Sequence, residues 1–188
     1  VKKGEWILVQ GASGGVGLWL CQLLRNLVGA RVIGTAGSKE KMELARENGA
    51  EVVVNYKTDN VVARVMNVTD GKGVRAVFDN AGRATFEVGL EVLGRDGCMV
   101  VIGNASGNVE PFDISKLAAK NLRVMKPSVF GYIGTKEEFV GYAERLFGFI
   151  ARNGVEGIPR KVFPMEDVRK AHVELEERKT AGKLLLKV

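Results

Sequence analysis

The sequence is almost without metal-binding and redox side chains: it holds two cysteines, Cys21 and Cys98, and one histidine, His172. Neither cysteine sits in a metal-ligand spacing or a disulfide framework. Both read as small buried apolar residues in a reducing, cytoplasmic compartment. One histidine and two scattered thiols make no zinc site, and His172 falls inside a predicted helix where a structural role suffices. No apolar run is long enough to span a bilayer, and no signal-peptide pattern is present. Low-complexity linkers are missing, as is any aromatic platform of the kind that stacks RNA bases.

What is present describes an ordinary globular chain. Its 188 residues, 46% of them hydrophobic, suit one domain with a smaller appended lobe. The chain begins at Val1 without a methionine, so a fragment is expected. A formal charge of +6 favours anionic partners, a phosphorylated cofactor or a nucleic acid. The basic residues are scattered, with small clusters at Lys39/Lys41 and Arg178/Lys179/Lys183, and scattered charge is ordinarily a solvated surface.

Apolar strands alternate with amphipathic segments along the first two thirds of the chain. Strands are predicted at Trp6–Gln10, Arg31–Thr35, Glu51–Asn55, Ala76–Asp79, Cys98–Ile102 and Leu122–Met125. Helices are predicted between them at Val16–Leu27, Lys39–Asn48, Asp59–Val68, Thr85–Leu93 and Ile114–Asn121, with Ser38 as an N-cap and Gly49 at a C′ position. Six near-continuous hydrophobic strands separated by helices predict an α/β fold, a Rossmann-type doubly wound parallel sheet over residues 1–130. After Pro127 the alternation breaks. Residues 131–188 read as an α/β tail with helices at Lys136–Ala151 and Glu166–Lys179 and strands at Arg160–Phe163 and Lys183–Val188, one that packs against a domain outside this chain.

The glycine loop Gly11-Ala12-Ser13-Gly14-Gly15-Val16-Gly17 lies between the first strand and the first helix. In that position backbone N–H groups and a helix N-terminus can hold a pyrophosphate, and Ser13 can add a hydroxyl donor. A plain tight turn would use the same glycines. The second strand runs into Gly34-Thr35-Ala36-Gly37-Ser38-Lys39-Glu40-Lys41 and carries no acidic residue at its end. A carboxylate there would accept hydrogen bonds from an adenosine ribose and repel a 2′-phosphate. A small loop, a hydroxyl and two lysines at a helix N-terminus would instead welcome that phosphate, with Tyr56 covering the adenine side. A capped helix with solvated lysines would show the same residues; together with the glycine loop, NADP is the better reading. Asp79-Asn80-Ala81-Gly82 and Gly103-Asn104-Ala105-Ser106-Gly107 end the fourth and fifth strands, on the edge of the sheet where ligands bind.

These stretches resemble the quinone oxidoreductase (zeta-crystallin-like) branch of the medium-chain dehydrogenase/reductase family. The matching residues are Gly11–Gln22, Val32–Lys41, Asn48–Tyr56, Ile102–Gly107 and the tail from Ala171-His172 through Leu175-Glu176 to Arg178–Leu185. The resemblance implies NADPH-dependent reduction of quinones or similar enones, without zinc, by a homodimer. It places the pyrophosphate on Ser13, Gly14, Gly15 and Val16, and the 2′-phosphate on Gly37, Ser38, Lys41 and Tyr56. It places the nicotinamide side on Asn80, Ile102, Gly103, Asn104 and a Pro127-Ser128-Val129 strand end, with Lys183 near the cofactor. No residue is cast as a general base, because the cofactor carries the hydride chemistry. The family also implies a GroES-like catalytic domain ahead of this one, and dimer pairing through the edge strand Leu122–Met125.

Two other readings use the same sequence. Gly11-x-x-x-Gly15-x-Gly17, Asn80-Ala81-Gly82 and Tyr132-x-x-x-Lys136 fit a short-chain dehydrogenase, but Gly134 interrupts the helix face that such a Tyr/Lys pair needs. A basic nucleotide-binding fold could also bind NADPH or RNA without catalysis.

Overall fold

The computed structural model describes residues 1–153, 155, 159–177 and 180–188, with backbone alone at 159 and 160. Arg178 and Lys179, read above as part of a basic cluster and of the last helix, lie outside the described residues.

The first strand, β1 (Trp6–Gln10), is buried at every position after Trp6, as a strand covered on both faces must be. It lies between β2 (Arg31–Ala36) and β4 (Val74–Asp79). With β3 (Val52–Asn55), β5 (Leu93–Val101) and β6 (Arg123–Met125) the sheet runs β3-β2-β1-β4-β5-β6, and all five pairings are parallel. The strand order reverses between β1 and β4, which opens a crevice at the carboxyl ends of those strands.

Two apolar layers cover the sheet. On one face Leu8, Ile33, Val54, Val77 and Met99 pack with Val65 of α3 (Val61–Val68) and with Phe86 and Leu90 of α4 (Phe86–Val92). On the other, Ile7, Val9, Val32 and Ala76 pack with Cys21 of α1 (Gly15–Leu23) and Ala45 of α2 (Lys39–Glu47). The expected caps are in place: the Ser38 hydroxyl accepts the Lys41 N–H (3.3 Å), and Gly49 takes a left-handed φ of 108°.

Two helices depart from expectation. The apolar run predicted as one helix over 16–27 leaves α-geometry at Leu23 and continues as a π-helical turn over Leu24–Val28, closed by Gly29 at φ 71°. The Ile114–Asn121 segment is a 3₁₀ helix, Ile114–Lys120, ended by Asn121 in the left-handed region. Neither departure moves a strand, but β5 runs from Leu93 to Val101 rather than from Cys98 to Ile102, taking Leu93 from the expected helix.

Beyond β6 the chain forms the short helix α5 (Val129–Tyr132), the long α6 (Lys136–Asn153), β7 (Pro159–Pro164), a 3₁₀ turn at Met165–Asp167, α7 (Val168–Glu176) and β8 (Lys183–Lys187). β7 and β8 pair in parallel as a separate two-stranded sheet, with α7 as the crossover. This tail returns to the glycine loop. Gly182 pairs with Gly14 in an isolated parallel bridge, and its N–H donates to the Ser13 carbonyl (3.1 Å).

Among the described residues no helix is long and apolar enough to cross a membrane.

Candidate functional site

The glycine loop is fastened to the sheet by a buried polar pair. Thr35 on β2 donates its hydroxyl to Gln10 Oε1 (2.8 Å) and accepts the Gly11 N–H (3.1 Å), while its carbonyl accepts the Ala12 N–H (2.9 Å). Both side chains are almost fully buried, so each depends on the other for its hydrogen bond. The intrahelical ladder of α1 starts with Leu18 N–H to Gly14 O (2.9 Å), which leaves the N–H groups of Gly15, Val16 and Gly17 in the unladdered first turn. Gly17 cannot be another residue: a Cβ there would fall on the Gly11 carbonyl oxygen and within 2.8 Å of the Ala12 Cα.

At the crevice between β1 and β4 lies a cleft of about 330 Å³. Seven expected residues line it: Ser13, Gly14 and Gly15 from the loop, Gly37 and Lys41 after β2, Tyr56 after β3, and Asn80 after β4. Val16 stands beside them, half exposed in the first turn of α1. Ser38 does not line the cleft; as the N-cap of α2 it orients the turn that carries Lys41.

Gly37 provides the close fit at one corner. A Cβ on it would collide with the Tyr56 hydroxyl and lie 3.2 Å from Lys57 Cε. Tyr56 is held there by its own N–H, which donates to the Ala36 carbonyl (3.2 Å). Burial, and then the neighbouring Lys57 charge, hold the Lys41 ammonium below the ordinary lysine range, with Glu40 opposing.

The opposite end is built around Asp79, which is fully buried at the end of β4. Its carboxylate accepts the Ala81 N–H (2.8 Å), the Gly82 N–H (3.3 Å) and the Thr85 hydroxyl (2.7 Å), fixing the turn that presents Asn80. The Asp79 carbonyl accepts the N–H groups of Ile102 (2.8 Å) and Gly103 (3.2 Å), tying the loop after β5 to the loop after β4. A Cβ on Gly103 would strike the Asn80 amide oxygen. Asn104 donates its amide to Asn108 Oδ1 (2.8 Å). Ile102, Gly103 and Asn104 therefore sit next to Asn80 without lining the cleft themselves.

Besides Val16, Ser38, Ile102, Gly103 and Asn104, four more expected residues are not brought to the cleft lining. Pro127, Ser128 and Val129 do not continue a strand: β6 stops at Met125, Ser128 is the extended residue before α5, and Val129 opens that helix, exposed. Proline has no N–H for a ladder, which is why pairing stops short of it. Lys183 opens β8 beside Gly182 but does not line the cleft.

In return the cleft holds Ala36, Leu175, Thr180 and Gly182, which sequence reasoning did not place there. The last three come from the tail. The one available signal was the tail's resemblance to the family, which put Lys183 near the cofactor but named none of these neighbours.

The Tyr132/Lys136 pair is split between α5 and α6 by residues 133–135, so the two do not share a helix face. Cys21 is buried against the sheet, and burial pushes its thiol up to about 12, which leaves it inert. Among the described residues no group of three or more His, Cys, Asp or Glu side chains could hold a metal ion.

Comparison with known proteins adds to this geometry. Residues 15–147 match the family described as zinc-binding dehydrogenase. The quinone oxidoreductase of Salmonella typhimurium is 42% identical over 189 residues, covering 99% of this chain and 58% of that protein. The crystal structure of Escherichia coli quinone oxidoreductase complexed with NADPH superposes with a TM-score of 0.93 at 39% identity, over 100% of this chain and 58% of that one. A 2-haloacrylate reductase from Burkholderia sp. is 31% identical, over 99% of this chain and 56% of its own length. The chain thus spans somewhat more than half of each relative. The zinc of the family's description finds no donor set among the described residues.

Proposed function

This chain belongs to the zinc-binding dehydrogenase family, and from that premise we propose that it is the cofactor-holding part of an NADPH-dependent quinone or enone reductase. The observation that carries the reading is the corner at Gly37, Lys41 and Tyr56. There β2 ends in Ala36 rather than in a carboxylate, and a lysine and a phenol stand where the adenosine ribose would lie. NADPH-complexed quinone oxidoreductase is also among the structures this chain resembles.

When bound, NADPH supplies the hydride for an electron-poor acceptor. The residues of this chain bind and orient. Gly14 shapes the loop, its N–H donating to the Gly11 carbonyl (3.0 Å), and the amides of Gly15 and Val16 with the Ser13 hydroxyl take the pyrophosphate at the start of α1. Lys41, on the helical turn capped by Ser38, and Tyr56, just after β3, take the 2′-phosphate. Asn80, backed by Gly103 and flanked by Ile102 and Asn104, faces the nicotinamide end, where holding the ring in one pose is the protein's contribution to rate. Pro127, Ser128, Val129 and Lys183 are assigned to surfaces that the rest of a longer protein completes.

Quinones and haloacrylates both present an electron-poor double bond conjugated to a carbonyl carbon, which supports that acceptor class. Its selection falls to the part of the relatives this chain does not span. Residues 131–188 would pack on that part, because α6 exposes Phe139, Tyr142 and Phe147 and α5 exposes Phe130. Two free cysteines fit a reducing, cytoplasmic setting.

Titration with NADPH and NADH, followed by nicotinamide fluorescence, tests the cofactor. NADPH is expected to bind at least about tenfold more tightly, a gap of about 1.4 kcal/mol, and Lys41→Glu to abolish the gap. Equal affinity for the two would overturn the reading.

Homodimer pairing through the edge strand β6 is part of the same proposal. The strand is short and its Met125 is exposed. Sedimentation should give a dimer that Met125→Lys converts to a monomer; a wild-type monomer at all concentrations would remove this element.

A further inference from the structure

We infer that Lys57 is a second cation of the 2′-phosphate corner, and that with Lys41 it determines selection of a nucleotide phosphorylated on the adenosine ribose. The inference rests on the proposed binding of NADPH in the cleft, and it concerns a residue to which neither the family resemblance nor the cleft lining assigns a role.

Lys57 is exposed, yet its side chain does not run straight outward. Its aliphatic stem folds back over the end of β2, with Cε 3.2 Å from the place a Cβ on Gly37 would occupy. The missing side chain at Gly37 is what makes room for this course, just as it makes room for the Tyr56 hydroxyl.

The turn beneath Lys57 is built to hold it. Asn55 Oδ1 accepts the Lys57 N–H (3.1 Å), and the Asn55 carbonyl accepts the N–H groups of Thr58 (3.1 Å) and Asp59 (2.9 Å). Asp59 is occupied within the same turn, its carboxylate accepting the Asn55 N–H (3.2 Å) and the Thr58 hydroxyl (2.9 Å). Among the described residues no carboxylate stands within ion-pair distance of the Lys57 ammonium.

Lys57 lies against Gly37, and Gly37 and Lys41 line the same cleft, so the two lysines share one corner, close enough that the charge of Lys57 acts on Lys41. Like charges kept together at the rim of a cleft repel one another, with Glu40 offsetting part of that repulsion at Lys41. A phosphate monoester there relieves the repulsion and gains charge-assisted hydrogen bonds from both. A ribose hydroxyl offers neither gain, so the paired lysines discriminate between the two nucleotides.

The test compares NADPH, NADH and the fragment 2′,5′-ADP by calorimetry on wild type, Lys57→Gln, Lys57→Arg and Lys41→Glu. Lys57→Gln is expected to weaken NADPH and 2′,5′-ADP about five- to tenfold, to leave NADH unchanged, and to leave the thermal midpoint unchanged because the side chain is exposed. Lys57→Arg should restore the lost affinity. If Lys57→Gln leaves NADPH affinity intact while Lys41→Glu still destroys the preference, the inference is overturned and the NADPH reading stands. An equal loss for NADH overturns it too, since the residue would then act on the whole nucleotide. If wild type shows no preference at all, the reading beneath the inference fails with it.

Discussion

The six-stranded sheet and the C-terminal β7–β8 unit are both parallel β-structure crossed by helices, yet only one of them has an interior. Nearly all buried apolar side chains lie between Ile7 and Leu122; beyond that, among the described residues, only Phe149, Val155, Phe163 and Ala171 are buried. Four of the five residues of β8 are exposed, whereas β1 is closed from Ile7 onward. Hydrophobic burial drives folding, so the sheet carries the stability of the chain while the tail depends on what it leans against. One support is visible: the bridge from Gly182 to Gly14 sets the tail on the glycine loop. The loop therefore has two grips on it, Thr35 from the sheet side and Gly182 from the tail side. Stability and cofactor affinity should separate along this line.

The largest effects test the difference in burial. Leu8→Ala, at a fully buried position in β1, should cost about 3 kcal/mol in denaturant unfolding. Phe147→Ser, on the exposed face of α6, should stay within about 0.5 kcal/mol in this chain. In a longer protein whose added part covers that face, the same Phe147→Ser change should cost about 1.5–3 kcal/mol. Equal costs in both settings would mean that nothing covers α6.

The next pair separates the two grips on the loop. Thr35→Val leaves the buried Gln10 amide oxygen without its donor and the Gly11 N–H without its acceptor, a loss of about 1–3 kcal/mol of global stability. Gly182→Val works on the other side. Gly182 has a φ of 69°, which a β-branched residue adopts only at a strain of about 1–2 kcal/mol. Spent on undocking the tail, that strain should raise the NADPH dissociation constant about three- to tenfold and leave the unfolding midpoint close to wild type. A fall in stability matching that of Thr35→Val would show that the tail is part of the cooperative core after all.

The same division governs what the sequence discloses. β1 to β4 and the second half of β5 are legible because strands buried on both faces are written as unbroken apolar runs, whereas Leu93–Gly97, interrupted by the exposed Arg95 and Asp96, is not; Ser38 and Gly49 punctuate α2 with residues whose local chemistry caps a helix. The cleft corner at Gly37, Lys41 and Tyr56 is legible for a related reason: Gly37 and Tyr56 follow directly on β2 and β3, Lys41 lies in the first turn of the helix after β2, and the parallel topology gathers strand ends on one edge. The π-helical turn at Leu24–Val28 is not legible, since its apolar pattern continues that of α1. Pro127–Val129 misleads, because a proline after a strand reads equally as the strand's end or as the approach to a helix. Leu175, Thr180 and Gly182 reach the cleft from the far end of the chain through the β7-α7-β8 crossover, and no local pattern encodes a contact of that range. Lys57 hides behind Tyr56: its position against Gly37 depends on the Asn55 turn and on the absence of a side chain opposite.

The smallest effect concerns protons. Burial and the charge of Lys57 hold the Lys41 ammonium below the ordinary lysine range. A lysine attracts a phosphate only while protonated, so its contribution to NADPH affinity is complete below the lowered value and is lost as pH rises through it. NADH, which lacks the phosphate, should show no matching decline. The preference for NADPH should therefore begin to fall at a pH below the ordinary lysine range, and Lys57→Gln, by removing the repelling charge, should move that fall to higher pH. Elevated salt should reduce the preference at every pH, because both ammonium groups stand at a solvent-facing rim where screening acts over about 10 Å at 0.1 M. A preference that held constant up to the pH where exposed lysines titrate would place Lys41 in open solvent, outside the corner that the tail and the sheet enclose together.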